Sequence, residues 1–346
     1  MHIFIDESGT FSLTDIKNSV SAVGALVIPD QHVAGFEKLY GRARQELPLK
    51  KGEVKGRLLN ETQVRNIVGI LRKLNCLFEI VAVDSTFQSE EEVARHKAQQ
   101  AENLTKNLTK EHFSELVGEV WRLREQLEKM PIQLYVQSVA MSELVYNALL
   151  NANMYYSFRF PKELGEYHWV IDAKDRNKMT PWEAWWSDVI LAFTESKSFR
   201  KPFIAVEGGD NRWHEKFRVA PDDYKKQFVH DAENGEWFDV KAILMQDFRF
   251  SSSAEYGLEA VDILVNAVRR SMAGNFSREG WLPIRGLMTH RGQHYIQMIS
   301  LSAEEKKPPE VPYSEVLSDF STGGRAILPP RYGEELAQMR TAVSDQ

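Results

Sequence analysis

The sequence contains little cysteine, no long apolar run and no excess of positive charge. Its one cysteine, Cys76, excludes an intrachain disulfide framework and a zinc ribbon built on cysteines. No apolar run approaches the ~20 residues that a membrane-spanning helix needs. The start of the chain lacks the features of a signal peptide. We therefore expect a cytoplasmic protein that does not associate with a membrane.

The 346 residues include 43 Lys and Arg against 49 Asp and Glu, a formal net charge of −6. This balance disfavours a protein that coats nucleic acid by charge alone, for which a basic domain is expected. It is compatible with an enzyme that meets phosphate groups locally, through a metal ion and a few basic side chains. Hydrophobic residues make up 43% of the chain, which is typical of a globular protein with a proper core.

The N-terminal part alternates apolar runs with helical patterns, which indicates an α/β fold. An apolar run that stops at Asp6, a turn at Gly9 and a second run over 20–28 predict a hairpin. Further strands are expected over 76–84, 168–172, 203–207 and 238–245, and a helix over 256–271. We interpret 1–300 as a single domain with a helical insertion at about 89–160, and 301–346 as a C-terminal tail.

Three carboxylates lie where the pattern predicts burial. Asp6 ends the apolar run 3–5, Asp172 ends the run 169–171, and Asp262 lies on the packed side of its helix. An unpaired ionised carboxylate in an apolar setting costs several kcal/mol, so three of them predict a shared cation or several Lys and Arg partners. Oxygen ligands without cysteine or a histidine cluster favour Mg²⁺ or Mn²⁺ over zinc. A turn or cap is the alternative for Asp6 and Asp172, and a salt bridge or cap for Asp262.

Two neighbouring sets of acids are less easily interpreted. In an extended strand Glu7 points to the opposite face from Asp6. It therefore either contacts the metal ligands without binding the ion itself, or stabilises the turn at Gly9. Glu255, Glu259 and Asp262 share one stripe of a helix, where like charges repel unless something positive lies between them.

Several motifs resemble those of a widespread bacterial family, the domain-of-unknown-function family 3800. Residues 3–11 (IFIDESGTF) resemble the hhhDESGxF start of that family. The likeness continues at 53–56 (EVKG), 135–137 (YVQ), 170–172 (VID) and 248–250 (FRF), and ends with 257–262 (GLEAVD). The order and approximate spacing of these pieces match over about residues 1–270.

The family is similar to the ribonuclease H-like superfamily, so the resemblance implies a mixed central sheet flanked by helices, with acids gathered around divalent metal. On this sequence the implied ligands and catalytic acids are Asp6, Asp172 and Asp262, with Glu53 as an extra acid. Glu259 stands where the family usually has Gln, which makes it a further catalytic candidate. Family members often occur in mobile-element and phage-defence settings.

We therefore expect a metal-dependent phosphodiesterase acting on nucleic acid, DNA or RNA, with Mg²⁺ or Mn²⁺ as cofactor. Two ions about 3.5–4 Å apart would clamp the scissile phosphate. Local cations could complete the contact with the substrate: Lys50, Lys51, Lys55 and Arg57 after the first predicted helix, and Lys174, Arg176 and Lys178 just past Asp172. Of these, Lys55 and Lys174 are the predicted substrate-binding residues. Two alternatives stay open: an inactive binding or regulatory module that uses the helical insertion for a protein partner or self-association, and a metal-independent glycosidase built on paired carboxylates.

Overall fold

The computed structural model describes residues 1–13, 19–109, 111–175, 180–203, 205–220, 237–301, 311–330 and 332. Six strands form one mixed sheet: β1 (His2–Ser8), β2 (Val20–Ile28), β3 (Leu77–Asp84), β4 (His168–Asp172), β5 (Phe248–Ser251) and β6 (Ile296–Ile299). Their order across the sheet is β6-β3-β2-β1-β4-β5. Strand β2 is antiparallel to β1 and β3, β6 is parallel to β3, and β1, β4 and β5 are parallel to one another. The predicted N-terminal hairpin is confirmed.

Helices cover both faces of the sheet. They are α1 (Asp30–Arg44), α2 (Glu61–Lys73), α3 (Glu90–Thr105), α4 (Ser114–Lys129), α5 (Ile132–Tyr156), α6 (Pro181–Trp185), α7 (Leu191–Arg200), α8 (Val240–Met245), α9 (Tyr256–Met272), α10 (Arg278–Trp281) and α11 (Ser314–Asp319). A π-helical turn, Trp186–Ile190, joins α6 to α7. None of the described helices is long and apolar enough to span a membrane.

Two hydrophobic cores lie on opposite sides of the sheet because alternate strand residues point to opposite faces. Ile3 and Ile5 belong to the core that contains α5, whereas Phe4 belongs to the core that contains α2 and α9. All nine residues of β2 are buried, as expected for a strand covered on both faces. The predicted α/β class, with a mixed central sheet flanked by helices, is confirmed.

Helix α9 lies close to the sheet at Gly24. A Cβ atom built on Gly24 would lie 2.3 Å from Cγ2 of Val265, so a residue with a side chain would push the helix away. Gly24 is the register partner of Asp6 on the neighbouring strand. Val265 therefore lies near the level of Asp6, and Asp262 is about one helical turn before it.

Two predicted strands are wrong. The stretch 238–245 begins with the two-residue strand Trp237–Phe238 and then becomes α8. The reason is Asp239, whose side chain accepts a hydrogen bond of 3.0 Å from the backbone N–H of Ala242 and starts the helix. In the stretch 203–207, residue 204 lies outside the described residues, and the others form no strand.

The C-terminal segment 311–330 packs against the domain. The hydroxyl of Tyr313 donates a hydrogen bond of 2.8 Å to Asp84, and the ring of Phe320 stacks on Trp281 at 5.6 Å. The rest of the predicted tail after 301, apart from residue 332, lies outside the described residues. In the predicted insertion, α5 forms the core layer on one face of the sheet, and α3 and α4 contact each other.

Candidate metal centre

Asp6 and Asp172 stand side by side at the carboxyl ends of β1 and β4. Ile5 pairs with Ile171 in the parallel register, so the next residue of each strand lies at the same level, about 4.8 Å apart between strands. Phe4 and Val170, two residues earlier, both belong to the core that contains α9. The two carboxylates therefore point to the α9 face of the sheet.

Asp262 reaches the same place from α9 and is held by two donors. Its Oδ2 accepts a hydrogen bond of 2.7 Å from the backbone N–H of Gly56, and its Oδ1 one of 2.6 Å from Nδ2 of Asn266. A Cβ atom on Gly56 would lie 2.6 Å from Cα of Ile263, so glycine permits the close approach that brings this N–H to Asp262. Ser8 completes the arrangement, since its hydroxyl donates to Oδ1 of Asn266 at 3.1 Å.

The electrostatics of the cluster disfavour three ionised acids. Burial, then the charges of Asp262 and Asp172, raises the pKa of Asp6 well above its ordinary value, although Lys174 and Lys55 act against this shift. Burial also raises the pKa of Asp172 to about 6, against the charge of Lys55 and together with Asp262. Burial raises the pKa of Asp262 as well, although the Gly56 N–H acts against it. Within the described residues, none of the three carboxylates forms an ion pair.

Two lysines border the cluster, and each is held by another acid. The ammonium of Lys55 lies 2.8 Å from a carboxylate oxygen of Glu53, and Lys174 forms an ion pair with Glu7. Both cations act on Asp6 through their charge without forming an ion pair with it. They therefore place positive charge beside the carboxylates, while neither Asp6 nor Asp172 forms an ion pair within the described residues. The predicted contacts Arg176 and Lys178 lie outside the described residues.

Glu259 is bound by partners of its own. It is 4% exposed, and its oxygens accept hydrogen bonds from Nε and Nη2 of Arg44 at 2.7 and 2.8 Å, from the Tyr40 hydroxyl at 3.1 Å and from the Val54 N–H at 2.9 Å. These contacts tie α9 to α1 and to a two-residue strand, Glu53–Val54, just before Lys55. Through them Glu259 fixes the position of the helix that carries Asp262. A direct catalytic role of Glu259 stays a prediction.

A second group of ligand-type side chains lies at the amino ends of the same strands. It consists of His2, Asp30 and His168. The imidazole rings of His2 and His168 stack at 4.5 Å with 22° between their planes, so their in-plane lone pairs run nearly parallel and do not converge on one ion. Oδ1 of Asp30 is already hydrogen-bonded to Nδ1 of His2 at 3.0 Å. This group is better described as a paired surface cluster than as a metal site.

Some members of the candidate centre have no local sequence signal. Asn266 could have been found, because it follows Asp262 by one helical turn, where side chains meet. The Gly56 N–H and Arg44 could not, since they lie more than 200 positions from their partners on α9. The predicted Asp6, Asp172 and Asp262 are brought together, with Glu53, Lys55 and Lys174 at their border.

The chain matches no protein-family model, and comparisons with curated proteins and with solved structures find no significant match. What the centre can do therefore follows from its own chemistry. Three carboxylates that form no ion pair with any described residue make a hard-oxygen donor set. Such a set suits a small divalent cation, and it lies beside two ammonium groups that suit an anion.

Proposed function

We propose that the protein is a Mg²⁺- or Mn²⁺-dependent phosphodiesterase that cleaves nucleic acid, built on a ribonuclease H-like fold. The observation that supports this proposal most directly is the meeting of Asp6, Asp172 and Asp262 on one face of the sheet without an ion pair of their own in the described part of the chain. Perturbed carboxylates gathered in this way concentrate at functional sites.

The donor set fits a divalent ion. Within the described residues, the side chain of Asp172 makes no hydrogen bond, and the carboxylate of Asp6 accepts a single one, from the Glu7 N–H at 2.7 Å. Asp6, Asp172 and Asp262 would hold the ion, and Gly56 and Asn266 would orient Asp262. When bound, the ion would polarise the phosphodiester and make water a stronger nucleophile at neutral pH.

Lys55 and Lys174 would bind the phosphate group together with the metal ion. Lys55 and Lys174 lie on the border of the cluster, each anchored by a carboxylate that limits its motion. A phosphate oxygen is a strong acceptor for such ammonium groups. With these two cations and a metal ion, a protein of net charge −6 can approach a polyanion locally.

The proposal includes membership of the family that the DESG start resembles. The acids come from the first strand, from the end of a later strand and from a late helix, as that resemblance implies. A cytoplasmic nuclease of a mobile-element or phage-defence system is the setting that we propose with it.

Cleavage of labelled DNA and RNA, single- and double-stranded, with Mg²⁺, with Mn²⁺ and with EDTA tests the proposal. Asp172→Asn removes one charge and breaks no side-chain hydrogen bond of the described residues, so it should fold and lose at least about 10³-fold of the activity, a typical loss when a central electrostatic group is removed. Asp247→Asn is the matched control, because Asp247 pairs with His168 at the opposite end of the sheet and should be dispensable.

If the wild type cleaves none of the substrates and binds no divalent ion, the result supports the inactive binding or regulatory module. Lys55 and Lys174 would then serve only as counter-ions of the carboxylates. Metal-independent cleavage of a glycoside, with a bell-shaped pH profile, would instead support the glycosidase.

A further inference from the structure

A cavity opens at the edge of the sheet, beside β6. Its volume is about 770 Å³, within the ~300–1,000 Å³ typical of small-molecule sites. Its walls come from α5, the end of α7 and the residues just after it, the loop before β6, β6 itself and α11. Three strand spacings, about 14 Å, separate β6 from β1, so this cavity is distinct from the acid cluster.

The charge of the lining is unusual for this chain. Lys197, Lys201 and Arg291 line the cavity, and the described residues around it include no carboxylate in direct contact, although the protein has a net charge of −6. A wall with charge of one sign raises the local concentration of ligands of the other sign. The cavity is therefore suited to an anion.

The three cations differ in how they are held. Nη2 of Arg291 lies 2.8 Å from a Glu79 oxygen and donates to the Tyr295 carbonyl at 2.8 Å, so this guanidinium is fixed in place. Lys197 forms an ion pair with Glu143, whose Oε2 also accepts a hydrogen bond of 2.9 Å from Nε2 of the lining residue Gln297. Lys201 is exposed and makes no ion pair within the described residues, so its charge is uncompensated. Two cations thus shape the site, and the third supplies the net positive charge.

The remaining wall suits a flat, partly apolar body. Leu150, Met298 and Leu317 provide the apolar surface. Nδ2 of Asn147 donates a hydrogen bond of 2.5 Å to Oε1 of Gln297. This contact orients the Asn147 amide, which still has its second N–H and its carbonyl oxygen for a ligand. Such an amide can pair with the edge of a base. A site for phosphate alone would need neither the apolar wall nor this volume.

We infer that the cavity binds a mononucleotide, with its phosphate beside Lys201 and Arg291 and its base against Leu150 and Met298. The cavity is too small for a folded polynucleotide and too large for a single anion. The inference does not depend on the proposed cleavage. Should the protein be a phosphodiesterase, this ligand belongs to the chemical class of its products, and the cavity would be a site of regulation by product.

Calorimetric titration of the full chain in EDTA tests the inference, with AMP and UMP as probes and adenosine, uridine and inorganic phosphate as partial ligands. We expect saturable 1:1 binding of at least one nucleotide, and at least tenfold weaker binding of its nucleoside and of phosphate. Lys201→Ala should weaken the nucleotide about tenfold, the usual effect of losing a hydrogen bond to a charged group, and Lys201→Glu should weaken it further. Lys38→Ala, an exposed lysine of α1, is the matched control and should have no effect.

The outcomes separate this inference from the proposed function. Binding that survives in Asp172→Asn and in EDTA supports the edge cavity whatever the result of the cleavage assay. Binding that requires a divalent ion or disappears in Asp172→Asn would place the nucleotide at the acid cluster and overturn the inference. So would the absence of saturable binding, equal effects of Lys201→Ala and Lys38→Ala, or phosphate binding as tightly as the nucleotide. Because Lys201 is exposed, both of its variants should retain the wild-type melting temperature.

Discussion

The two ends of β1 and β4 carry charged clusters that are built in opposite ways. At the amino ends, His2 bonds Asp30 at 3.0 Å and His168 bonds Asp247 at 2.6 Å. At the carboxyl ends, Asp6 and Asp172 face the same side and no ion pair neutralises them within the described residues. At the amino ends, Asp30 also forms an ion pair of 2.9 Å with the amino group of Met1. At the carboxyl ends, Lys55 and Lys174 act on the carboxylates through their charge, but neither forms an ion pair with them.

The pKa values of the two clusters reflect this difference. Burial would raise the pKa of Asp30, but the hydrogen bond from His2 and the charge of the amino group of Met1 lower it to about 2. Burial raises the pKa of Asp172 to about 6. Ionisation thus stabilises the folded protein at one end of the sheet and destabilises it at the other. The destabilising end is the better candidate for a function, because a bound cation would reverse the sign of its effect.

The largest effect expected from this contrast is stabilisation by a divalent ion. Mn²⁺ at about 100 times its Kd should raise the free energy of unfolding by about 2.7 kcal/mol, because it binds the folded state alone. Thermal melts with and without Mn²⁺ measure the shift, which Asp172→Asn should largely lose and Asp30→Asn should keep. An equal shift in wild type and Asp172→Asn would remove the carboxyl-end cluster as the binding site.

The sequence allowed the acids to be chosen for a physical reason. Apolar runs that stop at Asp6 and Asp172 locate the strand ends, and the alternation of faces makes the two carboxylates neighbours once the strands pair in parallel. The pairing itself depends on contacts 165 residues apart, such as that between the Met1 amino group and the Glu166 carbonyl, and no local pattern encodes it.

Elsewhere local patterns were insufficient or misleading. The apolar stretch 238–245 fits a strand by composition, yet the cap from Asp239 makes most of it helical. Glu259 shares a stripe of its helix with Asp262, and its partners Arg44 and Tyr40 come from the distant α1, which no pattern near Glu259 indicates. A side chain's partners decide its role, and partners far along the chain leave no trace near it.

A smaller effect is expected for the metal-free protein when the charge of Asp172 is removed. The folded pKa, about 6, lies above the ordinary value of 3.8, so ionisation costs stability as the pH rises from about 4 to 6, and the full cost applies above that window. In EDTA, Asp172→Asn should therefore be more stable than wild type by about 1–2 kcal/mol at pH 8, after allowance for partial solvent screening. Below pH 4 the difference should vanish. Chemical denaturation at both pH values measures it, and a variant less stable than wild type at pH 8 would contradict the contrast.

The smallest effect belongs to the neutralised end and has the opposite sign. The folded pKa of Asp30, about 2, lies below its ordinary value of 3.8, so its ionised form stabilises the fold above about pH 4, and this contribution is lost as the pH falls towards 2. Because 36% of its side chain is exposed, water screens the interaction, and Asp30→Asn should cost at most about 1 kcal/mol at pH 7. Denaturation of this variant beside Asp172→Asn in one buffer series compares the two ends directly. Opposite signs at neutral pH would support the contrast between the two ends. A shared sign would show that burial, and not the presence or absence of an ion pair, sets the effect of both charges on stability.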